Sequence, residues 1–301
     1  MRYCCAVTLL LFQLVQALFI FSAPAMAAAE KTEDPTVRFG VITLYHPLVM
    51  YKRYQPFVDY LNRMTTYHFD LKISQDYQTI ISLLDDGMVD VALLAGQTYL
   101  EAQKTAAVIP LLAALGKDNK PYYSGVFITR DDNSIINRIE DIKGKRFAFA
   151  SVHSTSGYLA PLYHLYSRED IRLADLASYS NLNYHDSVAR EVLRKNFDAG
   201  VVLASVADNY RQKGIKFIGQ TAPLPGFLLV VRPGLDPELV ESLRQTLLDL
   251  DSTDPQYQTV MNQWDVNIRY GFTKVSDSDY DPIREMISFL RKEGAIAGSG
   301  R

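Results

Sequence analysis

The sequence predicts an α/β protein built as two lobes of like construction, with a ligand cleft between them. Three observations lead there. Strands and helices alternate with short connections, the order expected of parallel α/β units. A helix-then-strand pattern recurs: "DYQTIISLLDDGMVDVALL" from Asp76 and "DSVAREVLRKNFDAGVVLA" from Asp186. Two extended stretches, "KPYYSGVFITR" (120–130) and "TAPLPGFLLVVRPG" (221–234), read as crossings between the lobes.

In chain order, "VRFGVITLY" (Val37 to Tyr45) reads as the first strand. Tyr51 to Met64 carries Tyr54, Phe57, Val58 and Leu61 at helical spacing. "FDLKIS" (69–74) alternates like a strand, Thr79 to Asp86 is helical with Gly87 as its stop, and Val89 to Leu94 is an apolar strand. In the repeated pattern each unit has an acidic helix start, an apolar helix, a polar break, then an aspartate before a small-and-apolar strand. Asp90 and Asp198 thereby occupy matching places. The helix from Pro237 to Leu250 and the segment "DYDPIREMISFLRKEG" complete or brace the first lobe. The expected division is lobe 1 over 28–121 and 225–301, and lobe 2 over 122–224.

Residues 1–27 read as a secretory signal peptide: Arg2, the apolar run Ala6 to Phe21, then Ala25-Met26-Ala27 as a small-x-small cleavage site. Cys4 and Cys5 both fall in that segment, so the mature chain has neither a disulfide nor a cysteine metal site. A hydrophobic content of 48% is ample for real cores. The formal charge of −3 comes with no basic stripe, which argues against nucleic acid and anionic membrane surfaces as partners. An anionic ligand therefore has to be attracted by local donors.

The richest set of such donors is "HSTSGYLAP" (153–161), between the apolar run Arg146–Ala150 and a segment that can be helical. A helix start leaves backbone N–H groups without intrahelical partners and is the positive end of the dipole. A tetrahedral oxyanion suits that end. Ser154, Thr155 and Ser156 add hydroxyls, and Gly157 permits close approach of the backbone. An ordinary N-cap explains one of those hydroxyls without any ligand, but one cap does not need three. "AGQTYLEA" (95–102) lies at the carboxyl end of a strand, where ligands bind in open α/β sheets, and offers Gln97, Thr98 and Tyr99. "TLYHPL" (43–48) ends the first strand with Tyr45 and His46 as possible donors, and "NYHDSVAR" (183–190) brings His185 beside the helix-capping Asp186. Ser154 or Ser156, His185 and Asp198 are the residue types of a nucleophilic triad, yet no G-x-S-x-G elbow surrounds either serine. No HExxH, paired-cysteine or Walker-type spacing occurs. Neither catalysis nor a metal or cofactor is expected.

Five collinear segments resemble the phosphonate/phosphite/phosphate substrate-binding proteins of bacterial ABC transporters: "YKRYQPFVDYLNRMTTYHFDLKISQDYQTII", "GMVDVALLAGQTYLEA", "DIKGKRFAFASVHSTSGYLAP", "LLVVRPGLDPELVESLRQTLLDL" and "SDSDYDPIREM". The resemblance covers nearly the whole mature chain. It implies the type II periplasmic binding protein fold, with two α/β lobes, two crossing strands and an interlobe cleft. It also implies a phosphorus oxyanion held by Ser154, Thr155 and Ser156, with Tyr99, Tyr45 and His185 as further ligand-binding residues. Two departures stand out. Gln97 replaces the family's proline in the first-lobe turn, and Phe227 stands after the "PLP" crossing where members that bind aminoalkyl phosphonates carry an acidic residue. An ammonium buried without a carboxylate is costly, so phosphate, phosphite or a small apolar phosphonate is expected instead. The implied function is a periplasmic, monomeric receptor delivering its ligand to an inner-membrane ABC permease. The alternative is a sensor presenting the ligand to a membrane histidine kinase, and a weaker one is a hydrolase using Ser156 and His185.

Overall fold

The computed structural model describes residues 36–297, so the signal-peptide reading of residues 1–27 lies outside the described residues. Strands β1 (Val37–Val41), β2 (Phe69–Ile73), β3 (Val91–Leu94) and β4 (Ile109–Ala114) alternate with helices α1 (Pro47–Met64), α2 (Tyr77–Asp85) and α3 (Gly96–Thr105). The chain then passes through β5 (Tyr122–Tyr123) into β6 (Gly125–Arg130), β7 (Arg146–Phe149), α4 (Ala160–Arg168), β8 (Ser178–Asn181), α5 (His185–Leu193), β9 (Ala199–Leu203), α6 (Ala204–Arg211) and β10 (Ile215–Gln220). It returns through β11 (Leu224–Pro225) to β12 (Leu228–Val231), α7 (Pro237–Leu248), α8 (Pro255–Met261), β13 (Phe272–Lys274) and α9 (Asp281–Lys292). Among the described residues no helix is long and apolar enough to cross a membrane.

Two large sheets result. The first runs β13-β4-β12-β3-β1-β2 and takes strands from both ends of the chain; the second runs β10-β6-β9-β7-β8. β1 pairs parallel with β2 and β3, and β7 pairs parallel with β8 and β9. The central strands β3 (VALL) and β12 (LLVV) are buried along their whole length. That is why they read as continuous apolar runs instead of alternating ones: helices cover both faces of the sheet. Between the sheets the two crossings pair antiparallel, Tyr123 opposite Leu224 and Tyr122 opposite Pro225.

The internal repeat has a structural counterpart. Asp90 accepts from the backbone N–H of Arg38 at 2.8 Å and from its guanidinium at 2.8 and 2.9 Å. Asp198 does the same with Arg146, at 2.9 Å from the backbone and 3.1 and 2.8 Å from the guanidinium. Each aspartate precedes the inner strand of its sheet and staples it to the neighbouring parallel strand. The two helices of the repeat differ at their starts. Asp76 caps α2 by accepting from Thr79 N–H at 2.7 Å, whereas α5 has Tyr184 at that place and no side-chain cap bond.

α1 starts earlier than the apolar spacing alone indicates. Pro47 occupies the first turn, where its missing N–H costs nothing, and His46 Nδ1 accepts from Leu48 N–H at 3.4 Å. His46, offered by the sequence as a possible donor, thus caps this helix through Nδ1.

Candidate functional site

Strand β7 ends at Phe149, and the chain turns through Ser151–His153 before winding into a wide π-type turn, Thr155–Leu159, that leads into α4. Such turns recur at functional sites because they displace one backbone group from the regular ladder. Ser154 is extended (φ −85°, ψ 123°), and its Oγ accepts from Gly157 N–H at 3.0 Å, an ordinary N-cap bond. Its carbonyl takes the next two amides, Tyr158 N at 3.1 Å and Leu159 N at 3.0 Å. The amides of Thr155 and Ser156 find no acceptor among the described residues. One hydroxyl caps, and two N–H groups stay open at the positive end of the helix.

His185 opens α5 and stands against this turn. Its Nδ1 accepts from Leu203 N–H at 3.0 Å, which places the proton of the neutral ring on Nε2. Nε2 lies 3.2 Å from Ser154 Oγ and 3.4 Å from the Tyr77 hydroxyl. Burial holds the His185 pKa down at about 3, so the ring is a neutral donor. Ser154 Oγ then accepts from both His185 and Gly157, and its own proton is within reach of the Tyr77 phenol. Gly157 is required by this packing. A Cβ there would come within 2.4 Å of Ala150 Cβ and 2.6 Å of His185 Cε1.

The first sheet closes over the same turn. Gln97, in the first turn of α3, donates its backbone N–H to Thr155 Oγ1 at 2.8 Å and its amide nitrogen to the Val152 carbonyl at 2.9 Å. The Tyr123 phenol, from the first crossing, faces the Thr155 and Ser156 hydroxyls. Burial pushes the Tyr77 and Tyr123 phenols well up, so both stay protonated donors. The Tyr123 hydroxyl and Thr98 Oγ1 are buried with no hydrogen-bond partner. Ser154, Thr155, Ser156 and His185 are all at most 2% exposed.

Of the six residues expected from the sequence, the structure brings Ser154, Thr155, Ser156 and His185 together. Tyr45 stands apart from them, beneath the Arg53 guanidinium, which lies 4.3 Å from its ring centroid. Its buried, unpartnered hydroxyl faces Ser205 and Asn267. Those two residues belong to the wall of an adjoining cleft of about 580 Å³, lined also by Arg53, Tyr123, Trp264 and Arg269. Tyr99 is not brought to either place. Its ring packs on Tyr280 with centroids 5.2 Å apart, and its hydroxyl donates to Asp277 Oδ1 at 2.6 Å. Residue-by-residue reading missed Tyr77 and Tyr123. Both were visible as tyrosines, one at the start of the repeated helix and one in a crossing.

Residues 39–280 match the family described as ABC transporter, phosphonate, periplasmic substrate-binding protein. Among curated relatives, the phosphonates-binding periplasmic protein of Escherichia coli (strain K12) is 23% identical over 297 residues, covering 94% of this chain and 85% of that one. The phosphate-import protein PhnD of Mycolicibacterium smegmatis is 24% identical over 267 residues, covering 80% and 81%. A Prochlorococcus marinus protein solved in complex with methylphosphonate superposes with a TM-score of 0.75 at 20% identity, covering 87% of this chain and 99% of that one. The fold is the two-lobe one that the repeat and the crossings predicted.

Proposed function

We propose, for a chain that belongs to the family of periplasmic substrate-binding proteins of phosphonate ABC transporters, that the turn at Ser154–Ser156 is where it holds a phosphorus oxyanion. The family is one of transporter substrate-binding proteins, not of enzymes. The observation that carries the proposal is the pair of open amides at Thr155 and Ser156, with the buried Tyr123 hydroxyl facing the side chains of the same two residues. Neutral donors at a helix end hold an anion without a lysine, because hydrogen bonds to a charged acceptor are stronger than neutral ones. Closure of the lobes seals the ligand, and the closed form is what an inner-membrane permease would recognise. The relatives' names span phosphonates and phosphate, and the Prochlorococcus protein carries methylphosphonate; a small compact anion of this class fits the donors here.

Phe227 bears on the choice of ligand. It is 3% exposed and stacks on Tyr123 at 4.6 Å, beside the anion seat. The buried carboxylate in the adjoining cleft, Asp265, is already taken by Arg53 at 3.0 Å and by Asn267. Asp208 stands on the exposed rim. An ammonium would find no free buried partner, so aminoethylphosphonate is expected to bind more weakly than methylphosphonate, phosphite or phosphate. Calorimetry of the purified protein with those four anions and sulfate checks this. Replacing Ser154 and Thr155 together with alanine should cost about 1.5–3 kcal/mol for each charged hydrogen bond lost. Unchanged affinity in the double variant would remove the turn from the site.

A further inference from the structure

The cleft beside the anion seat is larger than a bare oxyanion requires. Its volume of about 580 Å³ falls in the range of roughly 300–1,000 Å³ typical of sites for sizeable organic ligands. It adjoins the seat, and two residues touch both. Tyr123 faces the Thr155 and Ser156 hydroxyls and also lines the cleft; Leu203 holds His185 by its N–H and also lines it. A substituent on the phosphorus that passes Tyr123 would reach a formed cavity.

The chemistry of the far wall says what that substituent should carry. Arg53, Lys117 and Arg269 line the cleft against Asp208 and Asp265, an excess of one positive charge. Asp265 is not available to a cation, because its oxygens accept from Arg53 and from Asn267. The Arg53 guanidinium spends one nitrogen on Asp265. Arg269 spends one on the Tyr270 hydroxyl at 3.1 Å, and its Nε is buried with no partner. A buried guanidinium N–H without an acceptor is costly, and a carboxylate that reaches it is matched by the planar donor edge. Beside these donors the Ser205 hydroxyl, which also lines the cleft, adds a neutral one.

We propose that the preferred ligand is a phosphonate carrying a second acidic group on its substituent, with the phosphorus oxyanion at Ser154–Ser156 and the second acid at Arg269 and Arg53. This rests on the function proposed above and adds the substituent class to it. The test is calorimetry of the purified protein with phosphonoacetate, 3-phosphonopropionate and 4-phosphonobutyrate, each against the alkylphosphonate of matched length, with methylphosphonate as reference. At least one of the acids should bind about tenfold or more tightly than its alkyl match, the scale of one added charge-assisted contact. Arg269→Gln should collapse that ratio toward one. Arg269 makes no ion pair in the structure, so the substitution strands no buried carboxylate. Equal binding of acids and alkyl matches, or a preference that survives in Arg269→Gln, overturns the inference while leaving the proposed function standing if methylphosphonate still binds. Failure of methylphosphonate itself to bind sinks both.

Discussion

His185 shows how much of this site is decided by a single proton. With Nδ1 committed to Leu203 N–H, the ring can only offer Nε2–H to Ser154 and Tyr77. Burial lowers its pKa from the ordinary 6.5 to about 3. Below pH 6.5 the unfolded chain therefore takes up a proton that the folded one refuses. The stability this group contributes is complete above 6.5 and falls as pH drops toward 3, by about 1.4 kcal/mol per pH unit. Urea unfolding across that window should show a shallower acid slope for His185→Gln than for the unaltered protein; identical slopes would contradict the assignment. The serines and the histidine were legible because they sit at a strand-to-helix junction and a helix start. Tyr99 lies away from these residues for a reason of helix geometry. The Gln97 side chain reaches the Val152 carbonyl, and two residues later the side chain has turned about 200° around the axis, onto the opposite face. Tyr77 and Tyr123 could not be chosen by pattern, since their roles depend on where the opposite lobe comes to rest.

The repeat is the clearest element-scale feature, and its two halves are not equally strong. Asp90, 3% exposed, is held by Arg38 and also by Arg232 at 2.6 Å. Burial alone would raise its pKa, but the two guanidiniums outweigh that and hold it below the usual carboxylate range. Asp198 has Arg146, half exposed, as its guanidinium partner. Asp90→Ala should cost about 3 kcal/mol, as breaking a buried ion pair does. Asp198→Ala should cost nearer 1 kcal/mol. Urea midpoints at equal slope measure both; a larger cost at Asp198 would contradict this reading of the staples. The pattern of acidic start, apolar helix and aspartate was readable because each part has a local job. What it could not convey is that the starts of α2 and α5 face one another across the cleft, which brings Tyr77 to His185.

For the molecule as a whole, several contacts join the two halves around the Ser154–Ser156 turn. Besides the Gln97 bonds, His153 meets Glu101 at 2.9 Å, Tyr163 packs on Phe289, and Arg172 reaches Glu293 at 3.2 Å. The hydrogen bond to Glu101, against the opposing effect of burial, raises the His153 pKa. Its contribution is full below pH 6.5 and disappears as pH climbs through the raised value, so closure is favoured on the acid side. The affinity ratio of the unaltered protein to His153→Ala, in which the ligand's own ionisation cancels, should shrink as pH rises above the ordinary histidine value of 6.5. A constant ratio would show that this pair does not latch the lobes. The two sheets and the crossings were foreseeable from alternation and from the prolines; the addition of β13 to the edge of the first sheet was not, because its three residues carry no period of their own.

The crossings are tied together at both ends of their short ladder. Thr221 N–H bonds to the Gly125 carbonyl at 2.9 Å, and Gly226 N–H to the Pro121 carbonyl at 2.7 Å. Two cords lashed in that way bend side by side but cannot slip lengthwise or wind about each other without tearing the lashings. A swing of the jaws about this lashed pair would bring the serines back to the same spot opposite Gln97.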